Sequence, residues 1–232
     1  MTATLLVSPE EIGEPCVEVV EDGYRHLFRA RRLGVGDSVR LVDGRGRARA
    51  ARVVAVDRHR GRLETAEELP SLEPALSLTV AVAPPRPERA SWLVEKVTEI
   101  GAVAIRFVGF ERAVRSPGTG TRERLLRGAA SAVEQCGRAR LPELTTGHDP
   151  AEIEAWARTA DRAWWLDAGG DARPSASPVG GRVLLVVGPE GGWADGEREA
   201  FRAWGLHCLS LGPRALRTET AAVVGAGLVL RT

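Results

Sequence analysis

The stretch at residues 210–220 reads SLGPRALRTET and sets Arg214, Arg217 and Glu219 directly ahead of an apolar run, residues 221–230. A helix that begins here needs one cap, and Thr218 and Thr220 both suit that role. Two guanidiniums and a carboxylate exceed it. Such a set suits work on charge: holding an anion or stabilising charge that shifts during a reaction. Gly212-Pro213 forces a turn, because proline fixes φ and glycine permits unusual φ. A second special stretch, VLLVVGPEGGWAD at 183–195, runs a continuous apolar segment into Gly188, Pro189, Glu190, Gly191 and Gly192. Glycines there let a backbone approach a ligand closely and present N–H donors.

Both stretches follow predicted strands, and parallel sheets bind ligands beyond the carboxyl ends of their strands. The elements that position them are legible. LSLTVAVAP, AIRFVGF, RAWWLDAG, RVLLVVGP and HCLSLG read as buried strands. PERASWLVEKVTEIGA reads as a helix with Trp92, Leu93, Val97 and Ile100 at helical spacing and Gly101 as its C-cap. TRERLLRGAASAVEQCG, ADGEREAFRAWG and the final apolar segment are further helices. Strands alternating with helices predict a parallel α/β sheet. RSPGTGTRE, residues 115–123, reads as a loop.

The first third follows a different pattern. Asp43-Gly44 and Arg60-Gly61 break short apolar runs as hairpin turns do, and several such strands suggest a small barrel. GYRHLFRARRLGVGD predicts a short helix ended by Gly34 and Gly36. Pro70 and Pro74 mark residues 68–75 as a linker. The boundaries that follow are 1–72 for the barrel and 73–232 for the α/β domain.

Composition bounds the function. The chain has 232 residues, 44% of them hydrophobic, and a formal net charge of +1, so any nucleic-acid binding must come from local patches. Lys96 is the single lysine, which devalues arginine abundance as a signal and leaves arginine position. Lys96 sits beside Glu95 and three before Glu99, which predicts a structural ion pair. Cys16, Cys136 and Cys208 and four scattered histidines have no metal-ligand spacing. No GxGxxG or GxxxxGK[ST] occurs. No run is apolar and long enough to span a bilayer, and residues 1–11 lack the pattern of a secretory signal, so a cytoplasmic protein is expected.

The pair GPEGG and SLGPRALRTETA resembles the SPOUT class of RNA methyltransferases, and within it the family that methylates N3 of a uridine in 16S ribosomal RNA. EKVTEIGA (95–102) and AVEQCGRARLPEL (132–144) fit the same family in the same order, and HLFRARRLGVGDSVRLVDGRG fits it more loosely. The resemblance implies a parallel sheet with a deep trefoil knot, an exception to the unknotted rule. It also implies a PUA-like N-terminal β-barrel that helps grip RNA, S-adenosylmethionine as cofactor, and a homodimer; the spacing of cysteines and histidines gives no metal site. Carried onto this chain, the cofactor loops are Gly188, Pro189, Glu190, Gly191 and Gly192, and Ser210, Leu211, Gly212, Pro213, Leu216, Arg217 and Thr218. Leu211 and Leu216 would supply an apolar slot for adenine.

Uridine N3 carries a proton and is a poor nucleophile until that proton leaves. Glu219 is the candidate base; alternatively it complements the dipole of the final helix. Arg217, Arg214 or Arg138 would stabilise charge on the uracil oxygens or hold a phosphate. Arg138 has a plainer reading as the i,i+4 partner of Glu134. Arg25, Arg29, Arg31 and Arg32 around His26 and Phe28 suit phosphate contact plus base stacking, with Arg214 a further RNA contact. The final helix is expected to face a partner subunit, with Trp193 as an anchor at the rim of that interface. Two rival classes remain: a catalytically silent RNA-binding protein on the same fold, and an α/β enzyme acting on a small molecule. Intact glycine loops and LRTET argue against the first. The second leaves the N-terminal arginines without a task.

Overall fold

The computed structural model describes residues 2–114, 119–171 and 180–230. The chain divides into two compact units, residues 1–73 with 130–141, and residues 74–129 with 142–232.

The first unit is a five-stranded sheet in the order β1-β3-β4-β5-β2, built from β1 (Ala3–Leu6), β2 (Cys16–Val19), β3 (Ser38–Val42), β4 (Ala48–Val56) and β5 (Gly61–Glu68). β1 pairs parallel with β3, and the remaining pairs are antiparallel. Both hairpins form where the sequence predicts them. Val42 faces Ala48 across the Asp43-Gly44 turn, where Gly44 has φ 71° and Gly46 φ 119°; Val56 faces Gly61 across the other. Asp43 organises its turn by accepting the N–H groups of Arg45, Gly46 and Arg47 on one carboxylate oxygen. The edge strands β1 and β2 escape the sequence reading because each is only four residues long. Ala3 and Leu5 of one edge and Val17 and Val19 of the other enter a single core with Leu27, Leu41 and Leu63, so the sheet curls around it.

Helix α1 (Glu21–Tyr24) continues as a π-helical turn, Arg25–Ala30. It ends earlier than Gly34: Arg32 takes the left-handed conformation, φ 57°, that glycine usually supplies at a helix end. Phe28 is buried in the core, and a Cβ on Gly61 would collide with its ring. Phe28 is therefore not available to stack on a base, contrary to the sequence expectation. Gly61→Ala should destabilise this unit by about 1–3 kcal/mol through overpacking, read as a lower thermal unfolding midpoint.

Residues 68–75, expected to be a linker, begin with the last residue of β5 and are anchored at Glu73. Glu73 accepts Nε and an Nη of Arg138 (3.0 and 2.6 Å) and the N–H groups of Ala139 and Arg140 (3.0 and 3.1 Å).

The second unit is a six-stranded parallel sheet in the order β11-β9-β10-β6-β7-β8. Its strands are β6 (Leu76–Val82), β7 (Ala104–Val108), β8 (Glu143–His148), β9 (Arg162–Asp171), β10 (Gly181–Val187) and β11 (His207–Leu209). Helices α2 (Pro87–Ile100), α3 (Thr119–Cys136), α4 (Glu152–Thr159), α5 (Asp195–Ala203) and α6 (Thr218–Leu230) connect or follow them. The apolar runs of β6 and β10 pair with each other at the centre, as continuous hydrophobicity demands. Residues 115–118 of the predicted RSPGTGTRE loop lie outside the described residues, and Thr119 already begins α3. Strand β8 and helix α4 were not predicted.

Gly101 caps α2 at φ 122°, as expected. Leu93 and Val97 of α2 are buried as expected and Val94 joins them, whereas Trp92 is 42% exposed. Trp193 departs in the other direction. It is buried between Phe110 and Phe201 in edge-on ring contacts, and its Nε1 donates to the carbonyl of Leu166 (2.8 Å). It is a core residue rather than an interface anchor.

Helix α6 lies against α2, β6 and β10. Ala222, Gly225, Ala226 and Val229 face inward. A Cβ on Gly225 would sit 3.0 Å from Leu166 and 3.1 Å from Leu185, so glycine permits the close approach of helix and sheet.

Candidate active site

Two loops close on one another beyond the carboxyl ends of β10 and β11. The first turns at Gly188–Gly192: the N–H of Gly192 donates to Pro189 O (2.9 Å), and Gly192 has φ 71°. Gly188 lies against the Trp193 ring, where a Cβ would come within 2.8 Å. The second loop leaves β11 at Ser210, whose hydroxyl donates to Ala168 O (3.3 Å) and accepts the N–H of Gly212 (3.2 Å). Gly212 has φ 100°, a conformation that favours glycine. Thr218 then joins the loops. Its Oγ1 donates to Gly188 O (3.0 Å), so the hydroxyl bridges the two segments instead of capping its own helix.

Between them lies a cleft whose walls are largely apolar. Val187, Gly188, Pro189, Glu190 and Gly192 form one side, and Leu211, Gly212, Arg214, Ala215, Leu216 and Thr218 the other. Leu166, Asp167 and Ala168 in the middle of β9 line it too, with Trp193 and Ala221. Leu211 and Leu216 both line it, as an adenine slot requires. Pro213 does not, and Arg214 does, although its sequence reading was RNA contact. The sequence reading missed Leu166, Asp167 and Ala168; the apolar run AWWL broken by Asp167 was the available signal.

A second cleft adjoins the first and shares Pro189, Glu190 and Thr218 with it. Gly191 and Arg217 line this one, together with Ala83, Pro84, Pro85, Arg86, Arg89, Arg112 and Val114. Glu219 is buried, 3% exposed, and pairs with Arg89 through Oε1; it lines a neighbouring cleft with Glu88, Trp92 and Thr220, which shares Arg86 and Arg89 with this one. Its Oε2 is buried and accepts no hydrogen bond. Leaving a buried carboxylate oxygen unpartnered is costly. A carboxylate paired on one oxygen and unpartnered on the other retains the capacity to accept a proton or a hydrogen bond.

The remaining predicted residues lie in the first unit, except Lys96 and its partners in the second. Arg138 is buried there on Glu73, and Glu134 accepts the N–H of Leu6 (3.1 Å). Arg25, Arg29, Arg31 and Arg32 are exposed on or beside the π-helical turn. Arg25 pairs with Asp22, and the Arg29 guanidinium lies 5.6 Å from the Tyr24 ring centroid. Lys96 bridges Glu95 and Glu99 (2.7 and 2.8 Å), and these hydrogen bonds, Glu95 first, raise its ionisation above the usual lysine range. That is the structural ion pair expected. Among the described residues no group of histidine, cysteine and carboxylate side chains is placed to hold a metal, and no helix is long and apolar enough to cross a membrane.

Comparison with known proteins fits this geometry. The family model for the RNA methyltransferase domain matches residues 72–230, and that for the RNA methyltransferase PUA domain matches residues 21–65. A Synechocystis protein named ribosomal RNA small subunit methyltransferase E is 32% identical over 235 residues, covering 97% of this chain and 76% of that protein. The chain belongs to the ribosomal RNA small subunit methyltransferase E family. A solved member of that name from Neisseria gonorrhoeae, bound to S-adenosyl methionine, matches the fold with a TM-score of 0.84 at 24% identity, covering 97% of this chain and 95% of that one. A Legionella pneumophila protein in complex with the bound cofactor SAM matches with a TM-score of 0.79 at 25% identity, covering 100% and 97%. Within the ribosomal RNA small subunit methyltransferase E family, the curled first unit of this chain carries the PUA match, and its parallel sheet carries the methyltransferase match.

Proposed function

We propose that this protein transfers a methyl group from S-adenosylmethionine to N3 of a uridine in 16S ribosomal RNA. The observation that carries this reading is the apolar cleft between two glycine loops, tied together by the Thr218–Gly188 hydrogen bond and adjoining an arginine-lined cleft. Family membership and the cofactor-bound Legionella relative support it. The cleft suits the cofactor: leucines and alanines for adenine, and glycine backbone for its polar edges. Residues 188–192 and Ser210, Leu211, Gly212, Pro213, Leu216, Arg217 and Thr218 are assigned to it. When bound, S-adenosylmethionine supplies an electrophilic methyl group. Glu219 accepts the N3 proton on Oε2, and Arg217 stabilises the charge that spreads onto the uracil oxygens. Arg138, committed to Glu73 in the first unit, has the weaker claim to a catalytic part.

Residues 1–72 are assigned to RNA binding and 73–232 to catalysis. The deep trefoil knot is part of the same proposal and rests on the family resemblance; the chain leaves the sheet at edge strand β11, and α6 packs on α2, β6 and β10. We also propose a homodimer in the cytoplasm, formed through α2 and α6. These helices pack side by side and carry the exposed apolar residues Trp92 and Val224. Light scattering at micromolar concentration tests this, and a monodisperse monomer at full activity would refute it.

The function is tested by incubating the protein with labelled S-adenosylmethionine and 16S rRNA or small subunits, then digesting the RNA for mass spectrometry of its nucleosides. 3-Methyluridine is expected; label on another position or none refutes the reading. Removing Arg29 and Arg32 together should weaken binding to all RNAs alike and lower the salt slope by roughly 1 for each phosphate that is no longer neutralised, with cofactor affinity unchanged. An unaltered slope in filter binding would make these arginines ordinary surface.

A further inference from the structure

The parallel sheet reverses its strand order between β6 and β10, where β7 and β8 follow on one side and β9 and β11 on the other. Their carboxyl ends stay joined by the N–H of Ala83 donating to Val187 O (2.9 Å). Open α/β sheets bind ligands at such a reversal. From β6 the chain continues as Ala83-Pro84-Pro85-Arg86, the prolines holding it extended until α2 begins. The crevice above this point is the arginine-lined cleft.

Its charge is concentrated. Arg86, Arg112 and Arg217 line it and are exposed. Among the described residues none of the three forms an ion pair; Arg112 reaches only the carbonyl of Gly191, at 3.4 Å. Arg89, half-buried, is held by Glu219, whose second oxygen is buried and unpartnered. Solvated surface arginines diverge into water. Here they converge on a concave site of one dominant sign, which focuses the field on an anion. The site also abuts the cofactor cleft through Pro189, Glu190 and Thr218.

We propose that this crevice seats the reacting strand of RNA: Arg86 and Arg112 hold its phosphates, and Arg89 is a positioning residue that fixes Glu219 with Oε2 free for the base. The assignment rests on the methyltransferase reading above and adds the substrate-holding residues to it. Arginine suits phosphate because its planar fork donates two parallel hydrogen bonds.

The test compares wild type with the Arg86→Gln, Arg112→Gln double variant. For 16S rRNA in filter binding, the slope of log affinity against log salt should fall by about 1.4, at about 0.7 per single-strand phosphate contact. The KM for that RNA should rise roughly tenfold, while calorimetry with S-adenosylmethionine gives the wild-type affinity. A wild-type slope and KM in the double variant overturn the phosphate assignment. For Arg89→Met, kcat should fall about a hundredfold through misplacement of Glu219, with the KM for cofactor unchanged and part of the rate restored in Arg89→Lys. Wild-type kcat in Arg89→Met, or no difference between Met and Lys, overturns the positioning role. RNA binding is read without turnover. A wild-type protein that transfers no methyl group would therefore fail the functional reading, while the salt slopes still decide the crevice.

Discussion

Glu219→Gln is expected to lower kcat by about 10²- to 10⁴-fold, the usual contribution of a positioned general base, and to leave S-adenosylmethionine affinity unchanged. Glutamine keeps the shape and the hydrogen-bonding reach of glutamate, so the buried site beside Arg89 stays filled. What it loses is the ability to take a proton on the oxygen that now accepts no hydrogen bond. The pH dependence separates chemistry from packing. Uridine sheds its own N3 proton as pH rises, so a variant without the base should gain rate with pH through the alkaline range, roughly tenfold per unit. Wild type should flatten earlier, because Glu219 already takes that proton. A Glu219→Gln enzyme within a few-fold of wild-type kcat would reduce Glu219 to an anchor for Arg89 at the start of α6.

The central strands and the two glycine loops were legible because their chemistry is local. A strand buried on both faces must be apolar throughout, and β6 and β10 are. A hairpin needs its turn residues, and Asp43-Gly44 and Arg60-Gly61 supply them. The four short elements that escaped notice have weaker patterns. Strand β8 sits at the sheet edge, with Leu144 its one buried residue, so ELTTGH carries no apolar run. Helix α4 is only eight residues long and is started by polar side chains: Glu152 accepts the N–H of Asp149, and Asp149 that of Ala151. The tryptophans were misread in both directions for one reason. Trp92 fits the apolar spacing of α2 yet falls outside its buried face, and Trp193 follows a loop where no periodicity exists. Three-dimensional neighbours decide each. The arginine cleft was the least readable feature. In a chain whose positive charge is almost all arginine, Arg86, Arg89 and Arg112 stand out from nothing in the sequence. Arg89 meets Glu219 across 130 positions only because α2 and α6 pack together.

Gly212→Val should raise the dissociation constant for S-adenosylmethionine roughly ten- to a hundredfold while the protein remains folded. At φ 100° a β-branched residue is strained, at a cost on the order of 1–3 kcal/mol, and each 1.4 kcal/mol corresponds to about a factor of ten in affinity. The strain has an outlet in the loop itself. A Cβ at this position would meet nothing closer than the Arg214 guanidinium at 3.7 Å, so no core contact forces unfolding. The loop would relax by moving its own backbone, and with it the Ser210 hydroxyl contact to the Gly212 N–H and the lining formed by Leu211 and Leu216. Gly227→Ala is the matching control. It lies within α6, a Cβ there meets no atom within 4 Å, and alanine favours a helix over glycine by about 1 kcal/mol. Its cofactor affinity should stay at the wild-type value with an equal or higher unfolding temperature. Calorimetric titration of both variants decides the matter: a folded Gly212→Val protein that binds S-adenosylmethionine as tightly as Gly227→Ala would move the cofactor out of the cleft between the two loops.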